Sequence, residues 1–204
     1  MIKKLIDVAN SQIGYKVEEE NKYVLELGKI KKFYNKDINE CDSSLVFVDW
    51  CLANACGIDK VKDLVCQSNK ELSSNCLFSE KHYKNNAKYY SIPITGDQVF
   101  FKNEAKEICG TGIVTKVDEK NIYTVELKDN VVVAAMYEKN YSGISGYGRP
   151  KYETLSEEII EETIEDNKND NEEDKDIDLA PITHAREEEK KEGIDLDEVS
   201  NQNI

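Results

Sequence analysis

Between Leu45 and Cys56 the chain is apolar on nearly every position, and only Asp49 and Asn54 interrupt it. An apolar surface all round predicts a helix buried on every side. Asp42, Ser43 and Ser44 stand just before it and are all residue types that cap helix N-termini. Gly57 stands where a helix C-terminus favours a left-handed residue. Upstream, Leu5, Val8, Ala9 and Ile13 recur at helical spacing, which predicts an amphipathic helix over 2–13 stopped by Gly14. Residues 15–40 are charged and tyrosine-rich, with room for one short helix. "DKVKDLVC" (59–66) predicts another, and "SEKHYKNNAKYY" (79–90) a further one capped by Ser79.

The period changes after Pro93. "GDQVFF" (96–101), "GTGIVTKV" (110–117), "NIYTVELK" (121–128) and "NVVVAAMYEK" (130–139) are β-branched and aromatic runs separated by Asp, Asn, Gly and Lys. "ISGYGRPK" (144–151) adds a last strand. Helices first and strands second predict an α+β domain, with N-terminal helices and the buried central helix packed on a C-terminal antiparallel sheet. Beyond Tyr152 the pattern degrades. "SEEIIEETIED" (156–166) would place Ile159, Ile160 and Ile164 on one side of a short helix, and residues 166–204 have too little apolar content to fold alone.

Charge sharpens that boundary. The chain has 204 residues and a net charge of -14. Residues 1–153 hold 22 basic and 22 acidic side chains, whereas 154–204 hold 5 and 19. A neutral domain over 1–153 and an acidic, largely disordered tail over 154–204 are expected. The neutral domain lacks the excess of Lys and Arg that nucleic-acid binding requires, so nucleic acid is not an expected partner. The tail solvates the chain or binds a basic partner.

Asp7 interrupts the N-terminal apolar residues, so no signal peptide is expected. No stretch has the roughly 18 apolar residues of a membrane span. The chain is expected to be cytoplasmic as synthesised, and either virion-associated or released thereafter. Its six cysteines, Cys41, Cys51, Cys56, Cys66, Cys76 and Cys109, are then expected as free thiols, mostly packed as small core residues. No CxxC pair occurs and no histidine lies near Cys51 or Cys56, so no zinc site is expected. No GxGxxG or P-loop string appears, and no cofactor is implied. Asp49 is expected as a buried acid satisfied by backbone or by a tyrosine, and Trp50 as core.

A cysteine hydrolase needs a thiol at a helix N-terminus, a histidine to take its proton and a polar group to orient that histidine. The predicted frame suits such a site. The segments "FVDWC" (47–51), "GDQVFF" (96–101), "TGIV" (111–114), "IYTVE" (122–126) and "GYGRPKY" (146–152) occur in the order seen in one family, and "SQIGY" (11–15) fits its first helix. Over most of residues 5–152 the chain resembles the CHAP family, the cysteine- and histidine-dependent amidohydrolases and peptidases. These are papain-like cell-wall hydrolases of bacteria and their phages.

The resemblance implies a papain-like fold, and it implies where the chemistry should be. The family's nucleophilic cysteine falls three residues before the Phe of "FVDW", which is Ser44 here. Its histidine immediately precedes "TGIV", which is Gly110 here. Its third polar group lies on the next strand in an "EGN"-like string, where this chain reads "ELK", keeping Glu126 and placing Lys128 where Asn is common. The scaffold strings persist while the two principal chemical groups do not. A catalytically degenerate module is therefore expected, of phage or mobile-element origin, binding a peptidoglycan peptide or a protein partner.

Two rivals stand beside it. One is an active amidohydrolase or peptidase using Cys41 or Ser44 as nucleophile. Cys41 precedes the buried helix by about one turn. Cys109 adjoins the vacant histidine position, but alternation along a strand would turn it away from residue 110, into the core. The other rival is a regulatory protein acting through the acidic tail. The only histidines, His82 and His184, read as a helix-surface residue and a solvated tail residue.

Overall fold

Helix α1 (Ile2–Asn10) buries Leu5 and Ala9, the stripe that the spacing predicts, in a computed structural model that describes residues 1–18, 21–68 and 71–152. It stops short of Ile13, which is exposed. Gly14 takes φ +87° and its N–H donates to the Val132 carbonyl at 2.8 Å, so the chain leaves the helix to run along the sheet. The short helix in the tyrosine-rich stretch is α2 (Lys22–Leu27), capped by the Asn21 side chain, and a 3-10 turn (Ile38–Glu40) lies beyond it. The buried helix is α3 (Ser43–Cys56), ended by Gly57 at φ +95°. Phe47, Val48, Cys51 and Leu52 are all buried, and Trp50 is 8% exposed.

After α4 (Val61–Leu64), helix α5 (Cys76–Asn85) corrects two expectations. It starts earlier than Ser79, because the Asn75 side-chain oxygen accepts from the Leu77 N–H at 2.8 Å and caps it there. Ser79 lies inside the helix and is buried. The helix also ends before Tyr90: Ala87 at φ +54° reverses the chain, and Tyr89–Tyr90 become strand β1.

Strands β2 (Gln98–Lys102), β3 (Ile108–Val117), β4 (Asn121–Lys128), β5 (Val131–Glu138) and β6 (Ile144–Gly148) fall on the predicted runs. They form one six-stranded antiparallel sheet in the order β1-β6-β2-β3-β4-β5. The molecule is thus α+β, with α3 packed across β3 and β4. Its main core joins α1, α2, α3 and α4 to Phe100, Ile113 and Val125 of the sheet. Val99, Val114, Ile122 and Tyr147 form a smaller cluster, and Val99 and Val114 alternate with the core-facing Phe100 and Ile113.

Two glycines of β6 admit aromatic rings at contact distance. A Cβ at Gly146 would lie 2.6 Å from the Tyr89 ring, and one at Gly148 would run into Tyr83. The first ring belongs to a partly buried network around Glu80. The Glu80 carboxylate accepts from Tyr89 (2.5 Å) and Ser145 (2.7 Å) and pairs with Lys84 (2.7 Å), fixing α5 to β1 and β6. Arg149 closes the far end by a bidentate pair with Asp97 (2.9 and 3.0 Å) and stacks over Tyr90.

Asp49 accepts a hydrogen bond from the Tyr34 hydroxyl at 2.9 Å, the arrangement expected for it. No helix among the described residues is long and apolar enough to cross a membrane. The predicted acidic tail, 154–204, and the isoleucine stripe within it lie outside the described residues.

Candidate functional site

Asp42 sets the start of α3 as its N-cap residue but makes no side-chain cap bond. Its Oδ2 accepts instead from the backbone N–H of Cys76 at 2.8 Å, tying the first turn of α3 to the first turn of α5. That tie brings Ser44 Oγ to 3.7 Å from Cys76 Sγ, its one hydrogen-bond partner among the described residues. Strand β3 passes directly by. A Cβ built on Gly110 would meet a single atom within 4 Å, Ser44 Oγ at 3.9 Å.

Strand β4 adds the third position. Glu126 lies opposite Gly112 in the register, and its Cγ would be 3.2 Å from a Cβ there, so the glycine leaves room for the side chain to lean over β3. Thr124 Oγ1 donates to Glu126 Oε1 at 2.5 Å. Ser44, Gly110, Glu126 and Lys128 all line one cleft of about 370 Å³. Phe101, Tyr137 and Tyr141 line it too, with Lys102. The Phe101 and Tyr137 ring centres are 5.4 Å apart, and Tyr137 stacks on Tyr141 at 5.1 Å and 22°. Sequence positions 44, 110, 126 and 128 are therefore brought together.

Burial shapes the electrostatics of the acid and the thiols at and near this site. Burial holds the Glu126 carboxyl above its usual range, opposed by hydrogen bonds from Thr124 and Tyr137 and by the Lys128 charge. Burial, then Asp42, pushes the Cys76 thiol well above the thiol range, which disfavours the thiolate at the sulfur beside Ser44. Cys41 does not line the cleft. Its thiol donates to the Asp37 carbonyl at 3.5 Å and is pushed up to about 11, by burial first and then by Asp49 and Asp42. His82 lies in α5 and is not among the lining residues, and His184 lies outside the described residues. A serine hydroxyl stays protonated near neutral pH unless a base is within reach, and among the described residues Ser44 has no basic side chain as a hydrogen-bond partner, so the arrangement described is suited to binding polar and aromatic groups. Among the described residues no group of three or more His, Cys, Asp or Glu side chains is placed to hold a metal ion.

Cys109 corrects the expectation that it is core: it is exposed and lines the cleft. Phe101 pairs with Gly110 and Lys102 with Ile108, which leaves Cys109 unopposed in a β-bulge. The bulge breaks the alternation on which the core reading rested. Sequence reasoning also missed Cys76 as the neighbour of Ser44. Asn75 just before it was an available helix-cap signal. The Tyr137–Tyr141 stack carried no periodic signal, because Tyr141 sits in the turn after β5.

No protein-family model, curated protein or solved structure matches this chain.

Proposed function

We propose that the domain is a papain-like, CHAP-like scaffold that has lost its hydrolytic groups, and that its cleft binds a peptidoglycan peptide or a protein partner without cleaving it. One juxtaposition carries the reading. Ser44, where the resemblance puts the nucleophile, and Gly110, where it puts the base, are neighbours in the same cleft, which Glu126 also lines. A hydrolase stripped of nucleophile or base loses on the order of a million-fold in rate. Recognition survives such a loss, because it rests on other atoms: the Phe101–Tyr137–Tyr141 rings and the Lys102 and Lys128 ammonium groups. A binding or structural role in a phage or mobile-element assembly follows.

The test is restoration. Ser44→Cys combined with Gly110→His should release soluble fragments from purified cell walls, while the natural chain releases none. The Cβ at 110 meets no backbone atom within 4 Å, so the site admits the ring at its first carbon. The rate of alkylation against pH supplies a second readout. A thiol introduced at 44 and paired with imidazole should react rapidly below pH 7, and Gly110→His should be required for it. Two results overturn the proposal. One is wall cleavage by the natural chain that Ser44→Ala abolishes. The other is a Cys41 thiol that alkylates faster than exposed Cys109 at neutral pH.

A further inference from the structure

A larger cavity, of about 640 Å³, lies between α2 and the 3-10 turn and shares no lining residue with the Ser44 cleft. Its apolar lining comes from Val24, Leu27, Ile30 and Ile38, with Leu25 49% exposed beside them. Its polar lining is lopsided. Lys29, Lys31, Lys32 and Lys36 all border it, all four are exposed, and against them stands one acid, Asp37. That carboxylate is engaged by the backbone N–H (2.9 Å) and side-chain amide (2.8 Å) of Asn39, which also hold its pKa down. None of the four lysines has an ion-pair partner among the described residues. The nearest acids in sequence point elsewhere or lie outside the lining: Glu26 accepts from Trp50 Nε1 at 2.7 Å, and Glu40 does not border the cavity. A domain balanced overall, with 22 basic and 22 acidic residues over 1–153, thus concentrates positive charge around one groove.

We propose that this groove is a docking site for an acidic peptide segment of a protein partner, in which glutamate or aspartate alternates with aliphatic residues. The charge selects the acid: four exposed ammonium groups around one groove attract a carboxylate-rich chain and repel a basic one. The lining selects the peptide over other polyanions. A phosphate polymer has no apolar groups to bury against Leu25, Ile30 and Ile38, whereas an alternating peptide puts carboxylates to the rim and aliphatic side chains to the floor. The backbone bordering the groove is held in place. Lys32 sits at φ +56°, its carbonyl accepts from Lys62 Nζ at 3.3 Å, and the following loop is fixed by the Asn35 N–H to the Leu72 carbonyl at 2.9 Å. A preformed groove loses little entropy on binding.

The test uses the full chain and three fluorescent probes: a ten-residue peptide of alternating glutamate and isoleucine, a ten-residue polyglutamate, and inorganic polyphosphate of matched charge. The alternating peptide should bind saturably and at least tenfold more tightly than either of the others. Lys31→Glu with Lys36→Glu should weaken it about tenfold or more, since each reversal replaces an attraction with a repulsion. Leu25→Ser, which keeps every charge, should weaken the alternating peptide but leave polyglutamate unchanged. Tyr141→Ser, which removes a ring from the Ser44 cleft, keeps every charge and does not border this groove, should leave the alternating peptide's binding unaltered, so failure here and failure of the cleft reading are separable. No saturable binding of the alternating peptide, equal binding of polyphosphate, or indifference to the Lys31/Lys36 reversal would each overturn the proposal.

Discussion

Asp49 is the residue whose chemistry is most displaced by its surroundings. It is an acid inside an otherwise apolar helix, and burial raises its pKa from 3.8 to about 7 against the opposing Tyr34 hydrogen bond. The consequence for stability has a definite sign. The unfolded carboxyl titrates near 4, and below that pH both states are protonated, so the stability linked to the neutral acid is fully present. As pH rises the unfolded chain ionises first, and that stability drains away until the folded state ionises as well, near pH 7. Asp49→Asn keeps an acceptor for the Tyr34 hydroxyl and does not titrate. The stability of the natural chain relative to the Asn variant should therefore fall between pH 4 and pH 8, by up to about 4 kcal/mol for a fully buried acid. Urea unfolding at several pH values measures the gap, and a gap that stays constant across that range contradicts the assignment. The same residue shows what the sequence could convey. An acid flanked by Val48 and Trp50 announces its burial, but its partner Tyr34 is unreadable because nothing local links the two.

At the scale of elements, contacts between strands and α5 decide most of the detail, and close approach at glycine is the clearest case. Gly148 lies flat against Tyr83, whose buried hydroxyl donates to Gln98 at 3.1 Å, and Gln98 in turn donates to Thr111 at 3.0 Å. Gly148→Ala forces the ring off this chain of hydrogen bonds. It should destabilise the protein by about 1–3 kcal/mol, as overpacking does, with more if the Gln98 amide is left unsatisfied. Tyr83→Phe in the Gly148→Ala background separates the two costs, because it removes the hydroxyl and keeps the ring. If Gly148→Ala is neutral in thermal unfolding, the ring moves freely and the contact holds nothing. The strands were legible because β-branched runs alternate with turn residues, and β4 begins and ends where "NIYTVELK" does. The end of α5 was not, since Lys, Asn and Tyr continue a helical composition while the left-handed Ala87 breaks the helix. Of the cleft, Ser44, Gly110 and Glu126 came from ordered strings. Cys109 did not, because an unopposed residue in a bulge depends on the pairing of two strands, which no single strand reveals.

Over the whole domain the larger of two apolar clusters connects α1, α2, α3 and α4 with the inner face of the sheet. Helix α3 is its centre, and Phe47 is buried there at 5.2 Å ring distance from Tyr23, whose own ring is 5.0 Å from Trp50. Because α3 packs on β3 and β4 within that core, the helical layer and the sheet should unfold together. Trp50 is the one tryptophan, buried and bonded to Glu26, and its fluorescence reports the helical layer. The backbone amide resonances of β3 and β4 report the other. In urea both should give one midpoint. Phe47→Ala removes a fully buried ring and should cost about 3–5 kcal/mol, moving both midpoints by the same amount. Two separated midpoints, or a mutation that shifts the tryptophan signal and spares the sheet, would mean that α3 is not the element on which the sheet depends.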